Sequence, residues 1–153
     1  MKKPASLVGM LLALILAVSL TLSPSGTQAY AATDLVVIAN PTSGVDRMSR
    51  DEVTAVFMGR TRKLPSGITA LPIDQTTDGD KPRFYKELIN KDIPEVNSYW
   101  ARLIFSGQGS PPRQADNVAE VIEIVSGNKG AIGYVPRSAA DKRVRIILDL
   151  SNP

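Results

Sequence analysis

The 153-residue chain contains no histidine and no cysteine, and these two absences exclude whole classes of function. Without imidazole or thiol groups there is no Ser-His-Asp triad, no thiolate nucleophile, no disulfide and no zinc site built from these ligands. A hydrolase working through paired carboxylates is the remaining catalytic alternative, but the acidic residues are scattered through predicted caps and helix faces. We therefore expect a non-catalytic protein without a cofactor or metal, stabilised by a core that a 43% apolar composition can supply.

The N-terminal segment has the pattern of a secretory signal peptide. Two lysines precede an uncharged, largely apolar run over residues 7–22, and an Ala-Tyr-Ala cleavage sequence ends at Ala31. A membrane anchor is the competing interpretation, but a run of about 16 residues is short for a bilayer span of roughly 20. We expect residues 1–31 to be removed and residues 32–153 to form one domain, periplasmic or secreted and not stably inserted in a membrane.

The distribution of charge argues against nucleic acid as a partner. The leader carries two of the eighteen basic residues and none of the fifteen acidic ones, so the remaining chain has a formal net charge of only +1. Nucleic-acid binding needs a concentrated basic surface. The one local cluster, Arg60, Arg62 and Lys63 in a predicted loop, indicates either a solvated loop or a site for an anionic ligand or partner.

Hydrophobic periodicity predicts strands and helices in the order β-α-β-α-α-α-β-β. The predicted strands are residues 35–39, 68–73, 130–135 and 144–148. The predicted helices begin at capping residues: Ser49, Asp80, Asp92 and Asp116. The first strand is apolar throughout, so we expect it to be central and covered on both faces, whereas Pro72 places the second at an edge or a strand end.

The helix that begins after Asp92 carries the only tryptophan. Its apolar side chains recur at helical spacing: Val96, Trp100, Leu103 and Ile104. This spacing predicts a core position for Trp100, with a ligand-stacking platform as the alternative. Residues 108–114 are rich in glycine and proline and predict an irregular loop.

Residues 130–135, with the sequence Gly-Ala-Ile-Gly-Tyr-Val, follow an amphipathic helix that we expect Gly127 to end. A glycine inside a strand costs stability, so Gly133 needs a reason. One interpretation is close packing of the helix on the strand. The alternatives are the close approach of another backbone, or a bulge that aims Tyr134 at a ligand.

This stretch resembles the phosphate-binding branch of the two-lobed solute-binding proteins of bacterial ABC transporters. Three further stretches agree in order: Val-Phe-Met-Gly-Arg at 56–60, Ser-Tyr-Trp with Phe-Ser-Gly within 98–107, and Gly-Ser-Pro-Pro at 109–112. The resemblance implies an α/β class, a three-layer single lobe of a periplasmic-binding-protein-like fold with a mixed sheet. It also implies a small anion or other solute as ligand, and an ABC transporter permease or an envelope protein as partner.

Two loops supply most of the candidate ligand-binding residues. Loops at the carboxyl ends of strands in open α/β sheets bind ligands, which favours Thr42, Ser43 and Gly44 after the first strand, although plain turn chemistry explains them equally well. The resemblance implies a second group after the second strand, together with a tyrosine of the later strand: Thr76, Thr77, Gly79 and Tyr134.

The second loop departs from the pattern of phosphate-binding relatives. Those proteins have an Arg followed by Ser-Gly-Thr at a helix start, where a guanidinium, hydroxyls and amides converge on the anion. Here Asp74 and Gln75 replace the Arg, and Asp78-Gly79-Asp80 replaces Ser-Gly-Thr. We expect the side chain of Asp80 to cap the following helix itself, so that the phosphate site is degraded.

A complete protein of this class closes its ligand between two lobes, and the chain resembles one. The function that the resemblance implies is a secreted, non-catalytic, solute-binding-like protein. The alternative is an envelope adaptor or a sensor-associated interaction module that has lost its solute.

The leader can be tested by N-terminal sequencing. Because small residues stand at both positions of the cleavage sequence, the mature chain should begin at Ala32 and be recovered in the soluble envelope fraction. Recovery of chains that begin at Met1, or only in the membrane fraction, would contradict this prediction.

Overall fold

A computed structural model describes residues 34–76 and 79–151. The predicted leader and Thr77 lie outside the described residues, so processing and the role of Thr77 stay predictions. The strands are β1 (Leu35–Ala39), β2 (Leu71–Gln75), β3 (Arg113–Ala115), β4 (Ala131–Pro136) and β5 (Arg145–Asp149). The helices are α1 (Arg50–Phe57), α2 (Lys81–Ile89), α3 (Ile93–Phe105) and α4 (Val118–Gly127), with a 3-10 turn at Arg137–Ala139.

The strands form one mixed sheet in the order β3-β2-β4-β1-β5. β2 is parallel to both β3 and β4, whereas β1 is antiparallel to both of its neighbours, β4 and β5. β1 therefore runs against the other four strands. The α/β class and the mixed sheet are confirmed. The central strand, however, is β4, and β1 lies between it and the edge strand β5.

Helices cover both faces of the sheet, and the alternation of side chains along β1 shows how. Leu35, Val37 and Ala39 pack with α1, α2 and α3, while Val36 and Ile38 pack with α4. All five are inaccessible to solvent. The prediction that this strand is buried on both faces is confirmed, and the fold has three layers.

β2 and β3 differ from the sequence-based expectation. β2 begins at Leu71 and lies inside the sheet, so of the two predicted alternatives the edge position is wrong, whereas Pro72 does lie at a strand end. Pro72 is accommodated because β2 pairs with β4 at Leu71 and Pro72, but with β3 only from Ile73 onward. β3 occupies residues 113–115, partly inside the predicted loop, because a strand of three residues has no detectable period.

The two glycines of residues 130–135 serve different contacts. A Cβ on Gly133 would lie 2.7 Å from Cγ1 of Val121 on α4, so close packing of helix on strand explains this glycine. A Cβ on Gly130 would lie 2.1 Å from the carbonyl oxygen of Thr69. The close approach of another backbone therefore occurs at Gly130 and not at Gly133.

The predicted caps of α1 and α3 are confirmed. The backbone N–H of Ser49 donates to Oε2 of Glu52 at 2.7 Å, and the N–H of Glu52 donates back to Oγ of Ser49 at 3.2 Å. At α3, the N–H of Asp92 donates to Oε2 of Glu95 at 3.1 Å. These reciprocal contacts satisfy amides that have no partner inside the helix.

The ends of α2 and α4 correct the prediction. Asp80 precedes α2, but its side chain makes no capping hydrogen bond within the described chain. At α4 the cap is Asn117 rather than Asp116, with Oδ1 of Asn117 accepting from the N–H of Glu120 at 3.0 Å. Gly127 lies inside the last turn of α4 instead of beyond it. Within residues 34–76 and 79–151, no helix combines the length and the apolar character needed to cross a membrane.

Trp100 occupies the predicted core position. Its side chain is 6% exposed and packs against Gly59, where a Cβ would lie 2.8 Å from the indole Cη2. Gly59 also has a φ of +67°, so both its backbone and its lack of a side chain suit this contact. The predicted stripe stops short of Ile104, which is 54% exposed, and Phe105 beside it is 93% exposed.

Truncation of Trp100 should separate this core position from the exposed end of α3. Trp100→Ala should lower the free energy of unfolding by about 3–5 kcal/mol, because it leaves a cavity between α3 and the loop after α1. The matched control Ile104→Ala should change it by less than about 0.5 kcal/mol. Chemical denaturation of both variants checks the difference, and equal effects would contradict it.

Candidate functional site

The direction of β1 separates the two loops that supply most of the predicted ligand-binding residues. β1 is antiparallel to β4, whereas β2 is parallel to it. The carboxyl ends of β1 and β2 therefore point in opposite directions along the strands. Ala39 at the end of β1 pairs with Ile132 near the start of β4. Thr42, Ser43 and Gly44 therefore lie at one end of the strands, and Thr76 and Gly79 lie at the other.

Residues 40–44 form a turn whose polar groups bond one another. Nδ2 of Asn40 donates to the carbonyls of Val125 and Ser126 at 3.0 and 2.8 Å, which closes the C-terminal end of α4. Oδ1 of Asn40 accepts from the N–H and the hydroxyl of Thr42 at 2.8 and 2.7 Å. Oγ of the buried Ser43 accepts a hydrogen bond from the N–H of Val45 at 3.2 Å. This geometry matches the turn interpretation of this loop.

A shallow cleft of about 470 Å³ lies where β2 and β3 end and α2 and α4 begin. Thr76 and Gly79, two of the residues that the resemblance implied as ligand-binding, both line it. Its described lining is mostly polar and includes two carboxylates: Gln75, Thr76, Gly79, Asp80, Asp116, Asn117 and Val118. This cleft is the candidate solute site.

The start of α4 is closed by its own residues. The N–H of Glu120 is bound by Asn117, and the carboxylate of Glu120 accepts from the N–H of Asp116 at 2.7 Å. An anion approaching this helix end would have to replace a carboxylate that is already in place. The carboxylates of Asp80 and Asp116 at the same cleft add negative charge.

Beneath the cleft, Asp74 holds a buried polar cluster together. Its side chain is 4% exposed, and its Oδ2 lies 3.1 Å from Nζ of Lys81, the first residue of α2, whose side chain is 9% exposed. The hydroxyl of Tyr85 donates to Oδ2 at 3.0 Å, and that of Tyr134 donates to Oδ1 at 2.5 Å. The N–H of Gln75 donates to Oδ1 at 2.9 Å. We call these residues the Asp74 cluster.

Secondary structure places each member of the Asp74 cluster. Along β2, Ile73 faces α4, so Asp74 faces the layer of α1, α2 and α3. Tyr134 of β4, the neighbouring strand, stacks on Phe84 of α2 with ring centroids 3.8 Å apart and planes 6° from parallel. Tyr134 was predicted to contact a ligand. In this structure it is inaccessible to solvent, and its hydroxyl donates to Asp74.

The environment changes the acidity of both phenols. Burial, reinforced by the negative charge of Asp74 and the hydrogen bond to it, raises the pKa of Tyr85 and of Tyr134 far above the usual range. Both hydroxyls therefore stay protonated as donors. Together with Lys81 they solvate the carboxylate that β2 carries into the protein interior.

The Asp74 cluster uses the kinds of group that an anion site needs. An ammonium, two hydroxyls and a backbone amide all point at one carboxylate, which belongs to the chain itself. Within the described chain, no group of acidic residues has the arrangement of a metal site. The interaction that the cluster provides is the binding of a negatively charged group by an ammonium and hydrogen-bond donors.

Sequence reasoning identified Asp74 as the residue replacing the family Arg but missed its partners. Lys81 and Tyr85 stand seven and eleven positions further on, and Tyr134 is sixty away. Lys81 and Tyr85 are four positions apart on one face of α2, but no period relates a helix face to Asp74 on β2 or to Tyr134 on β4. The only signal in the sequence is the acidic residue itself inside an apolar strand, which must find compensation when it is buried.

Comparison with known proteins rests on structure. No protein-family model matches the sequence, and no curated protein is significantly similar to it. An ABC-type phosphate transport receptor from Vibrio cholerae superposes on 74% of this chain and 45% of its own, with a TM-score of 0.59 and 12% identity. PstS from Borrelia burgdorferi gives 74% and 46% coverage, a TM-score of 0.56 and 16% identity.

These likenesses define the class of fold. The chain has the periplasmic-binding-protein-like fold of phosphate ABC transporter substrate-binding proteins, as the sequence resemblance implied. It spans less than half the length of the two proteins it resembles, which fits a single-lobe form.

The raised pKa values of the two phenols predict a loss of stability at alkaline pH. The unfolded chain releases phenolic protons near pH 10, while the folded chain retains those of Tyr85 and Tyr134. Their contribution is therefore complete below about pH 10 and decreases as the pH rises further.

Urea unfolding between about pH 9 and pH 11 measures this effect. The decrease should be shallower in Tyr85→Phe and Tyr134→Phe and shallowest in the double variant, because phenylalanine keeps the ring but has no proton to lose. An identical pH dependence in the parent and the double variant would contradict the assignment.

Proposed function

We propose that this chain is a secreted, non-catalytic, solute-binding-like protein, similar to phosphate ABC transporter substrate-binding proteins, whose phosphate site is degraded. The proteins with the same fold include a phosphate transport receptor, which supports the solute-binding class. The observation that carries the proposal is the Asp74 cluster, where the chain supplies its own carboxylate to the groups that would attract an anion.

Electrostatics of the candidate cleft support the loss of phosphate. Asp80 and Asp116 line it, and the described lining includes no basic residue, although Arg83 outside the lining pairs with Asp80 at 4.0 Å. A dianion at roughly 5 Å from one carboxylate meets a repulsion of about 3 kcal/mol per charge at an effective dielectric constant of 20. An absent Arg contact removes roughly 1.5–3 kcal/mol more. Together these terms offset most of the roughly 8 kcal/mol that defines a micromolar complex.

The open shape of the cleft supports the same conclusion. In a two-lobed protein the ligand is enclosed between lobes, whereas the cleft described here is open and belongs to one lobe. A single lobe covers one side of a small ion. Tight capture in the manner of the full-length proteins would require a second surface, supplied by another copy or by a partner.

Titration calorimetry of residues 32–153 with phosphate tests the proposal. We expect a Kd in the millimolar range or weaker, because the cleft repels the anion and leaves it half exposed. The variant Asp78→Ser with Asp80→Thr restores two family residues and should gain at most weak affinity. A Kd below about 10 μM for the unmodified chain would contradict the proposal.

A matched variant distinguishes the charge of the cleft from its open shape. Asp80→Asn with Asp116→Asn removes two negative charges at nearly constant volume from exposed or half-exposed positions. If charge alone prevents binding, this variant should gain affinity strongly. We expect a small gain, since no opposing surface is created.

A further inference from the structure

A groove larger than the candidate solute cleft lies away from it. It has a volume of about 720 Å³ and runs between α1 and α3, across the end of α2. Its apolar floor includes Met58, Leu88 and Tyr99. Tyr99 is fixed in place because its hydroxyl donates to the carbonyl of Met58 at 2.7 Å.

Four basic side chains and two acidic ones line this groove, which we call the basic groove. Of the four, Lys91 pairs with Glu95 at 3.0 Å, and Arg50 donates to two backbone carbonyls, those of Glu87 and Leu150. Arg60 and Arg102 are exposed and make no ion pair or hydrogen bond with the described part of the chain. The remaining acidic residue, Asp51, cannot neutralise both.

A second groove extends the basic character across the loop that follows α1. It has a volume of about 350 Å³, and its described lining includes Arg62 and Arg113 but no acidic residue. Gly59 and Thr61 line it from the same loop that carries Arg60 into the basic groove. Arg60 and Arg62 of the predicted basic cluster therefore line two adjoining grooves, whereas Lys63 lines neither; all three residues are exposed.

Elsewhere on the described surface, several exposed basic residues have an acidic partner, although Arg47, Lys129 and Lys142 form no ion pair there. Ion pairs join Lys86 to Asp92, Arg137 to Asp149, Arg143 to Asp141 and Arg145 to Asp46. Around the two grooves, by contrast, Arg60, Arg62, Arg102 and Arg113 lack such partners among residues 34–76 and 79–151. This local excess stands out in a mature chain whose net charge is only +1.

An exposed apolar side chain stands at the end of the same helix face. Ser98, Arg102 and Phe105 recur at i, i+4 and i+7 along α3, and Ser98 and Arg102 line the basic groove. Phe105 is 93% exposed. A partner on this face would meet arginines over an apolar floor and an aromatic ring beside them, a composition enriched in protein interfaces.

We propose that the basic groove and the exposed end of α3 form a docking surface for an acidic polypeptide segment that carries an apolar side chain. Arginine binds carboxylates with two parallel hydrogen bonds, and both unpaired guanidinium groups are free to do so. A groove with an apolar floor suits a segment of chain better than a flat lipid surface. The inference is independent of the solute cleft and of the proposed function.

Binding to a model peptide tests this docking surface. The probe is a short synthetic peptide of aspartate and glutamate around one central phenylalanine, labelled for fluorescence anisotropy. Arg60→Glu with Arg102→Glu should raise its Kd more than about tenfold, which corresponds to about 1.4 kcal/mol. Phe105→Ala should also weaken binding. Amide NMR shifts on titration should concentrate at α1 and α3.

The matched control is Lys129→Glu with Lys142→Glu, which makes the same change in net charge at two exposed positions outside both grooves. It should leave the Kd nearly unchanged. Equal weakening by both double variants would overturn the proposal, as would the absence of binding at millimolar peptide. Circular dichroism confirms that each variant is folded.

A second arm distinguishes a peptide from a membrane. Vesicles of phosphatidylglycerol are sedimented with the protein at physiological ionic strength, where exposed charges are screened beyond about 8 Å. We expect the protein to remain in the supernatant. Sedimentation with the vesicles that is abolished by the Arg60→Glu and Arg102→Glu pair would overturn the proposal and assign the surface to anionic lipid.

Discussion

The burial of one carboxylate governs how the strands and helices meet in this protein. An ionised side chain loses several kcal/mol of hydration when it enters the interior, and the loss must be recovered by groups arranged around it. For Asp74 these groups come from α2 and β4. Their contacts with Asp74 connect β2 to both of these elements. The stacked rings of Phe84 and Tyr134 fill the space beside them. One polar requirement therefore sets the docking of α2 on the sheet.

The same requirement bears on function. Once an ammonium and two hydroxyls are committed to an internal carboxylate, they are not available to a dissolved anion, and an entering anion would have to displace a tethered group. The Asp74 cluster consequently links the stability of the lobe to its proposed inability to bind phosphate. By the same argument, charged side chains without an internal partner are the ones available to bind another molecule. In the described chain, several arginines without such a partner line the basic groove and the groove beside it.

The reversed direction of β1 has an equally wide effect. When a strand is antiparallel to its neighbours, the loop that follows it lies at the opposite end of the strands from the loops that follow its neighbours. Residues 40–44 are consequently remote from the cleft at the ends of β2 and β3, and their polar groups close α4 and their own turn. In a sheet whose strands all ran in parallel, these residues would have joined the cleft, which is why the rule for open α/β sheets misplaced them.

Local patterns in the sequence determined the class of fold, the order of most elements, the two reciprocal caps and the core position of Trp100, because each depends on residues a few positions apart. Strand direction, the partners of Asp74 and the division of the basic loop between two grooves depend on residues that meet only after folding. β3 escaped detection since it is too short to show a period. Lys81 and Tyr134 become partners of Asp74 only because the packing of α2 against β4 brings them to the same buried carboxylate.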